Sequence, residues 1–522
     1  MTGSMVSALP ALAVLVPAVG ALAVPLIRLL GGGRRLIEFF TLIAMLVSGY
    51  CAASTLWLAR SAIVVYMFGG WPPPVGIFYE VDMLGATLGL ITSVIMLVVA
   101  IYSTGYMHSD DRLYLYYTLL LVIEAGMLGC FYTGDFFNLF VMIEVTSIAA
   151  YALVAYHHRD PLASASSLKY AIYGALATTV FFAATITGYG CFGTLNIADM
   201  SAKLQGLVSP VTGHGWGDLY IGIAVFMALA LYAFTFKSAI FPNHYWLPDA
   251  HSSAPTPVSA VLSGLVVNVG VYCTARFLYT VLAGIPSLMY GYRIALLVLG
   301  GLSALIGGLL MNAQRDVKRL IAYSTILNIG FIVLGLSLGT APGASAAFYQ
   351  AVTHSFAKAM LFLAVGLPIA VAGSRDIDRL RGIGRKYPVL GVFLALPLLA
   401  LAGLPPLAVF MSEYSLMTAM IGAGDWITLG LFLAGYISGM IAYIRLFYKL
   451  CLEEPTIETI GELRISSATM FALVVLGATV LFLGFAAPPL WNNVFSGIGS
   501  SLSSPHNYVA AYQHYASLLS SG

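Results

Sequence analysis

Leu231-Tyr-Ala-Phe-Thr-Phe-Lys-Ser-Ala-Ile-Phe241 closes an apolar stretch long enough to cross a bilayer, and it carries one lysine, Lys237. A run of about 18 or more apolar residues reads as a transmembrane helix. A charge at the membrane centre costs roughly 2.5–3.5 kcal/mol on insertion scales, so it marks a pathway or a partner. Pro242, Pro248, Pro255 and Pro257 follow Lys237 directly and predict an irregular stretch there. Three more ionisable residues sit in comparable settings: Glu144 in Val-Met-Ile-Glu-Val, Lys358 four residues after His354, and Glu413 just past Gly403-Leu-Pro-Pro406. Buried charges of both signs point to a route for protons or ions.

The rest of the chain fits that reading. It is 60% hydrophobic and 8% charged, against about 25% charged in a soluble domain, with mean hydropathy +0.93. This is an all-α polytopic membrane protein with no room for a large soluble domain. The net charge of +2 comes without a basic cluster and gives no nucleic-acid signal. The five cysteines form no CxxC pair and read as small buried hydrophobes, so neither an iron–sulfur cluster nor a structural disulfide is expected. No cofactor motif is present. The first apolar run, about 6–30, lacks a preceding basic region and is too long for a signal core, so it reads as the first membrane helix.

Apolar runs predict about fourteen helices, near 7–30, 36–59, 83–105, 114–133, 136–156, 164–190, 218–241, 257–280, 290–312, 319–339, 345–373, 388–423, 426–450 and 468–487. The run 388–423 is too long for one span, and Gly403-Leu-Pro-Pro406 should break it. Odd-numbered loops carry Arg34, Arg35, Arg112, Arg159, the Arg315–Arg319 cluster, the basic residues from Arg375 to Lys386, Lys449 and Arg464. Even loops and tails hold only Arg60, Lys203 and Arg293. The positive-inside rule then places the odd loops in the cytoplasm and both termini outside. Predicted helices seven and twelve each pair a buried charge with a proline break, five helices apart. That spacing suggests two inverted five-helix repeats, 111–280 and 290–450, after helices one to three (1–110) and before helix fourteen and a polar tail (465–522) within one membrane domain. The tail, with Trp491, Tyr508, Tyr512 and Tyr515, is expected at the outer interface or against a neighbour, without a long amphipathic helix.

Glu144 has apolar neighbours on both sides; burial favours its neutral form and a nearby cation its charged form. Lys237 is its natural partner, and separating the two would release a proton. His354 and Lys358 share a helix face and make a plausible relay step. Glu413 would end the path or open it. Lys169 reads as a relay cation or one snorkelling to the surface, and Glu124 as a buried carboxyl without an obvious partner. His244 and His251 flank Pro248-Asp249 and suit gating or water organisation better than a metal. The bland alternatives are a structural ion pair that fixes helix packing for Glu144 and a lysine snorkelling to the interface for Lys237.

Several of these segments together resemble the antiporter-like subunits of respiratory complex I, membrane-bound hydrogenases and Mrp-type cation/proton antiporters. They are Gly134-Asp-Phe-Phe-Asn-Leu-Phe-Val-Met-Ile-Glu144, Lys237 to Asp249, Ala254-Pro-Thr-Pro-Val-Ser-Ala260, Arg315-Asp-Val-Lys-Arg-Leu-Ile-Ala-Tyr-Ser324, His354 to Lys358 and Gly403-Leu-Pro-Pro406. The resemblance, over about 70–450, implies a fourteen-helix core with two inverted repeats and a Glu144–Lys237 pair. It also implies a polar axis continuing through Lys358 to Glu413, and neighbouring antiporter-like and small membrane subunits. The transported ion would be the proton, with Na+ as a second candidate. Two departures stand out. Asn268 occupies the place where many relatives carry a lysine, and Glu413 replaces a lysine usual in Mrp subunits. Gly69-Gly-Trp-Pro-Pro-Pro-Val-Gly-Ile77, in contrast, looks like the D-type subunits of Mrp antiporters. The sequence therefore favours a translocating subunit of a redox-driven complex, with a D-type Mrp subunit as the alternative, ahead of a metabolite transporter or a scaffold with a dead path.

Overall fold

The computed structural model describes residues 3–107, 112–206, 219–455, 463 and 465–518; Arg464, one of the residues behind the predicted orientation, lies outside them. The membrane helices are α1 (Leu9–Leu29), α2 (Arg34–Ala59), α3 (Met83–Tyr106), α4 (Leu113–Tyr132), α5 (Phe136–Val154), α6 (Pro161–Phe192) and α7 (Leu219–Lys237). They continue with α8 (Thr256–Gly284), α9 (Pro286–Asn312), α10 (Val317–Ser337), α11 (Ala341–Ala372), α12, α13 (Trp426–Leu452) and α14 (Ser467–Phe485). Among the described residues thirteen helices are long and apolar enough to span a membrane. The remaining run, α12, is two pieces, Pro388–Leu401 and Ala408–Gly422, on either side of the Gly403-Leu-Pro-Pro segment. Each piece alone is too short to span.

The helix starts follow from local chemistry. Asp82, Asp135, Asp160, Asp316, Thr340, Asp425 and Ser466 each accept a hydrogen bond from a first-turn amide, at the N-termini of α3, α5, α6, α10, α11, α13 and α14. Gly193 and Gly373 end α6 and α11 in the left-handed conformation. α8 and α10 form the centre of the molecule, with 100% and 94% of their most apolar windows buried. α8 contains two π-helical turns, Leu262–Val266 and Phe277–Val281. The backbones of α9 and α10 touch. A Cβ on Gly307 would lie 2.6 Å from the Leu327 amide nitrogen, and one on Gly330 2.5 Å from that of Ala304. Glycine there permits the close approach by which helices pack in lipid.

Two features depart from an all-helical reading. Ser4–Val6 (β1), Ile63–Met67 (β2) and Phe78–Val81 (β3) form a small sheet, β1 parallel and β3 antiparallel to β2, with Ser4 opposite Ile63 and Val64 opposite Val81. The β-branched run Ile63-Val-Val supplies the strand propensity, and the continuous apolar run of five residues that it begins is easily overlooked between helices. The tail is the second. It is helical over Ser496–Ser503 and His506–Ala516 and folds back on its own chain, with Tyr349 stacked on Phe495 at 4.5 Å and Tyr508 buried.

Candidate functional site

Lys237 ends α7 and is 4% exposed. Its Nζ donates to Ser147 Oγ on α5 at 2.5 Å. The expected direct pair with Glu144 does not form. Glu144 is half-buried and has no hydrogen bond or ion pair among the described residues, although it lies within electrostatic reach of Lys237. Three residues along α5 leave the two side chains about 60° apart on the helix, with Ser147 buried against α7 and Glu144 half-buried beside it. A cavity of about 10 Å³, the lower limit for one water, is lined by Ser147, Tyr151, Thr178 and Lys237.

Beyond Lys237 the helix stops, Ala239 takes φ +53°, and a short helix resumes at Leu247–Ser253. Exposed backbone is tolerated at membrane depth only when protein satisfies it. Here the Phe241 amide donates to Ser303 Oγ at 2.8 Å, and Trp246 Nε1 donates to the Phe236 carbonyl at 3.1 Å. Trp246 itself is stacked on Tyr170 at 4.0 Å. Asp249 holds two cations, Lys169 at 2.7 Å and Arg319 at 2.6 Å, so Lys169 is an ion-pair partner and not a snorkelling charge. His244 is half-buried against Phe241. His251 is fully buried, stacked on Phe362, and neither ring nitrogen has a partner among the described residues. Lys318, counted in the sequence among the loop charges, is buried in the first turn of α10 and donates to the Ala254 carbonyl at 2.9 Å. Both Lys318 and Lys358 act electrostatically on His251.

Lys358, fully buried in α11, donates to the Ile321 carbonyl at 3.1 Å, to Ser324 Oγ, and to Tyr443 OH at 3.4 Å. His354 is equally buried, and both its ring nitrogens lack partners among the described residues. Asn268 lies just after the first π-turn of α8. Its Nδ2 donates to the Gly264 carbonyl at 2.9 Å and to Ser355 Oγ at 2.8 Å, and its Oδ1 is buried without a donor among the described residues. The amide thus links α8 to the helix of His354 and Lys358, at a place where a lysine would add charge.

From Lys358 a polar chain runs toward α12. Asn328 donates to Tyr443 OH at 3.3 Å, Gln350 to Asn328 Oδ1 at 2.9 Å, and Ser412 to Gln350 Oε1 at 2.6 Å. Thr353 and Ser412 share a 2.7 Å bond. Glu413, the next residue, is 2% exposed, and its Oε2 has no partner among the described residues. It faces a space lined by Asn328, Tyr436 and Tyr443 beside the break in α12. A Cβ on Gly403, whose φ is +75°, would come within 2.9 Å of Glu413 Oε2 and 2.3 Å of Tyr436 OH, so only glycine lets the break close over the carboxyl. Ser324, Asn328, Gln350, Ser412 and Tyr443 escaped the sequence reading. The signal was the unbroken apolar setting of two amides, Leu327-Asn328-Ile329 and Tyr349-Gln350-Ala351.

Glu124 stands apart from this line. It is fully buried on α4 with both oxygens unpartnered among the described residues, beside Ser48 of α2 and Ser93 of α3. Among the described residues no group of three or more His, Cys, Asp or Glu side chains is placed to hold a metal ion.

Residues 133–438, which contain Glu144, Lys237, Asn268, His354, Lys358 and Glu413, match the family described as NADH:quinone oxidoreductase/Mrp antiporter, transmembrane. The chain is 31% identical over 510 residues to the N subunit of NADH-quinone oxidoreductase from Desulforudis audaxviator, covering 94% of this chain and 98% of that one. It is 29% identical over 465 residues to the D subunit of a Na+/H+ antiporter from Alkalihalophilus pseudofirmus, covering 88% and 90%. A chain of the membrane-bound sulfane sulfur reductase, an archaeal respiratory membrane complex, superposes with a TM-score of 0.87 at 28% identity, covering 97% of this chain and all of that one. Family match, full-length relatives and superposition agree: this chain belongs to the NADH:quinone oxidoreductase/Mrp antiporter transmembrane family.

Proposed function

We propose that this chain is an antiporter-like subunit that moves protons within a multi-subunit, redox-driven complex in the cell membrane of a bacterium or archaeon. The observation that carries this is the line of buried ionisable and amide side chains from Lys237 through Asn268, His354 and Lys358 to Glu413, with hydrogen bonds joining Lys358, Tyr443, Asn328, Gln350 and Ser412, the residue before Glu413. Groups of this kind inside a membrane bundle mark proton relays.

In this reading a proton reaches Lys237 from the cytoplasmic side. Glu144 sets the hold of Lys237 on its proton through its field, since an opposite charge nearby favours the charged form. The adjacent subunit in turn pulls on the half-exposed Glu144. Asn268 carries no charge, so the middle of the route passes by water, His251 and His354 to Lys358. Gln350 and Ser412 then lead to Glu413. The units α4–α8 and α9–α13 act as inverted repeats, and both termini lie outside. The charge cluster of Asp249, Lys169 and Arg319 with His244 lies at the uptake side. Glu124 is a reserve site in the first helices. Redox centres, where present, belong to other subunits.

A second reading has one specific observation in its favour. The Gly-Gly-Trp-Pro-Pro-Pro segment, which links β2 to β3, resembles the D-type subunits of Mrp antiporters, and one such Na+/H+ antiporter subunit aligns over nearly the whole chain. Purification of the native complex with subunit identification and metal analysis separates the two. Stoichiometric iron or nickel on partner subunits supports the redox-driven pump. A metal-free complex with several small membrane subunits overturns it in favour of secondary antiport.

A further inference from the structure

A cavity of about 850 Å³ lies away from the lysine axis. It lies between the end of α2, the start of α3 and the tail, and its lining includes Arg60, Asp82, Asn493, Ser500, Ser504 and Asn507. Asp82 is a buried carboxylate in its wall. Its Oδ1 accepts from the Gly85 amide at 3.0 Å and from Arg276 at 2.8 Å, and this ion pair is almost fully buried, with Arg276 4% and Asp82 3% exposed. The Arg276 guanidinium lies between two rings, 4.6 Å from Tyr508 of the tail and 5.2 Å from Tyr272. Behind the pair is a second carboxyl, Glu80 of β3. It is 0% exposed and both its oxygens lack partners among the described residues. Gly134, where a Cβ would sit 3.3 Å from Glu80 Oε2, closes it from the α4–α5 side.

One guanidinium therefore serves two buried carboxyls, and its charge is already matched by Asp82. A second anion there would be buried and unpaired, so Glu80 holds a proton. Burial pushes its carboxyl well above the usual range; Arg276 opposes this and Asp82 adds to it. Tyr508 and Tyr512 face it from the tail, with the Asp199–Lys203 pair at 3.1 Å behind Tyr512. The cluster also connects to the axis. Gly270 of α8 packs against Ser238, next to Lys237, and Arg276 is six residues further along the same helix, about 9 Å at 1.5 Å per residue.

We propose that Glu80 is a proton-storage site at the inner end of an aqueous vestibule on the tail side of the protein, and that Arg276 switches it. In the release step Arg276 shifts from Asp82 to Glu80. The Glu80 proton passes to the freed Asp82 carboxylate, leaving Glu80 as the anion paired with Arg276. Asp82 then gives the proton to water in the cavity, and the cluster has lost one proton and no other atom. The helix His506–Ala516, through Tyr508, covers the switch. This rests on the translocation reading and adds a release point in the first half of the molecule.

The test uses the assembled complex in proteoliposomes, with Glu80→Gln, Ser504→Trp and Lys237→Ala compared with wild type. Glu80→Gln keeps the shape of the protonated carboxyl. In pH-difference infrared spectra it should lose one protonated-carboxyl C=O band, and proton translocation should fall about 100-fold, the scale of a lost acid–base group. Ser504→Trp, which fills the vestibule from an exposed position, should slow translocation and keep the band. An unchanged carboxyl spectrum in Glu80→Gln, or wild-type translocation in either Glu80→Gln or Ser504→Trp, overturns the proposal. Should Glu80→Gln not assemble, the Ser504→Trp rate decides alone. Lys237→Ala tells the two readings apart. A dead Lys237→Ala beside a fully active Glu80→Gln removes only the storage site, whereas a fully active Lys237→Ala removes the translocation pathway itself.

Discussion

Lys237 Nζ bonds to Ser147 at 2.5 Å, while Glu144, three residues earlier on the same helix as Ser147, is half-buried and without a partner among the described residues. The lysine is thus held by a neutral oxygen, and the carboxylate acts on it at a distance through a medium of low dielectric. Such an arrangement is sensitive to whatever covers Glu144 from outside, because screening there changes the field at Lys237 without moving a contact.

Replacing either end should stop transport without dismantling the subunit. Glu144→Ala and Lys237→Ala are expected to abolish ion translocation, measured as pH-gradient formation in vesicles, with normal assembly by native electrophoresis. Ser147→Ala should give a graded defect. A hydrogen bond to a charged group is worth about 1.5–3 kcal/mol, and its loss leaves a buried ammonium short of one acceptor. A Glu144→Ala or Lys237→Ala complex that assembles and pumps at the wild-type rate would refute this pathway.

Gln350 bridges Asn328 and Ser412, on the way from Lys358 to the helix that carries Glu413. Its Nε2 reaches Asn328 and its Oε1 accepts from Ser412. Gln350→Leu keeps the size but takes the donor from Asn328 Oδ1, at about 1–3 kcal/mol for a buried polar group left unsatisfied, while Ser412 retains its bonds to Thr353 and the Val409 carbonyl. A lower melting temperature together with a large loss of translocation is expected. Thr353→Val, at the edge of the same network, should be milder in both measurements. Equal effects from the two substitutions would place the route elsewhere.

How far the sequence discloses this site depends on the type of signal. A lysine or glutamate in an apolar run is visible because its cost in a bilayer is large, and that is how Lys237, Lys358, Glu413 and Glu124 come into view. The break in α12 is legible from Gly403-Leu-Pro-Pro, since proline removes a donor and glycine accepts φ of +75°. What stays hidden depends on tertiary distance. Nothing in one dimension says that Ser147 and not Glu144 meets Lys237, that Lys318 turns inward, or that Asp82 and Arg276, 194 residues apart, form a buried pair. The tail gives a weak signal for a related reason: Ser496–Ser503 is rich in Ser and Gly, and the short stripe of Tyr508, Tyr512 and Tyr515 on His506–Ala516 meets its partners only in the folded chain.

Asp249 joins Lys169 and Arg319 at the break after α7, with all three side chains partly exposed. Pairs of this kind contribute about 0.2–1 kcal/mol each and weaken with salt. Asp249→Asn should therefore change thermal stability little. Translocation should fall more clearly, because two cations beside the break lose their counter-charge. Raised ionic strength should reproduce part of that loss in the wild type, but not in the variant. A wild-type translocation rate in Asp249→Asn would show the cluster to be only structural.

The contact between α9 and α10 sets the position of Ser324 and Asn328, and with them the surroundings of Lys358. Where the backbones meet at Gly307 and Gly330, the atoms facing a new Cβ belong to the main chain and cannot swing aside. Gly307→Ala must push α10 away, and overpacking of this kind costs about 1–3 kcal/mol. The displacement acts on the hydrogen bonds of Lys358 to Ile321 and Ser324, one turn from Leu327, the residue facing Gly307. Thermal melting of the complex should drop, and translocation should fall further than the loss of stability alone explains. Gly430→Ala on α13, where a Cβ meets nothing within 4 Å, is the matched control and should change neither. If Gly307→Ala lowers the melting temperature but leaves translocation intact, α10 is a passive support and the route does not depend on the placement of Ser324 and Asn328.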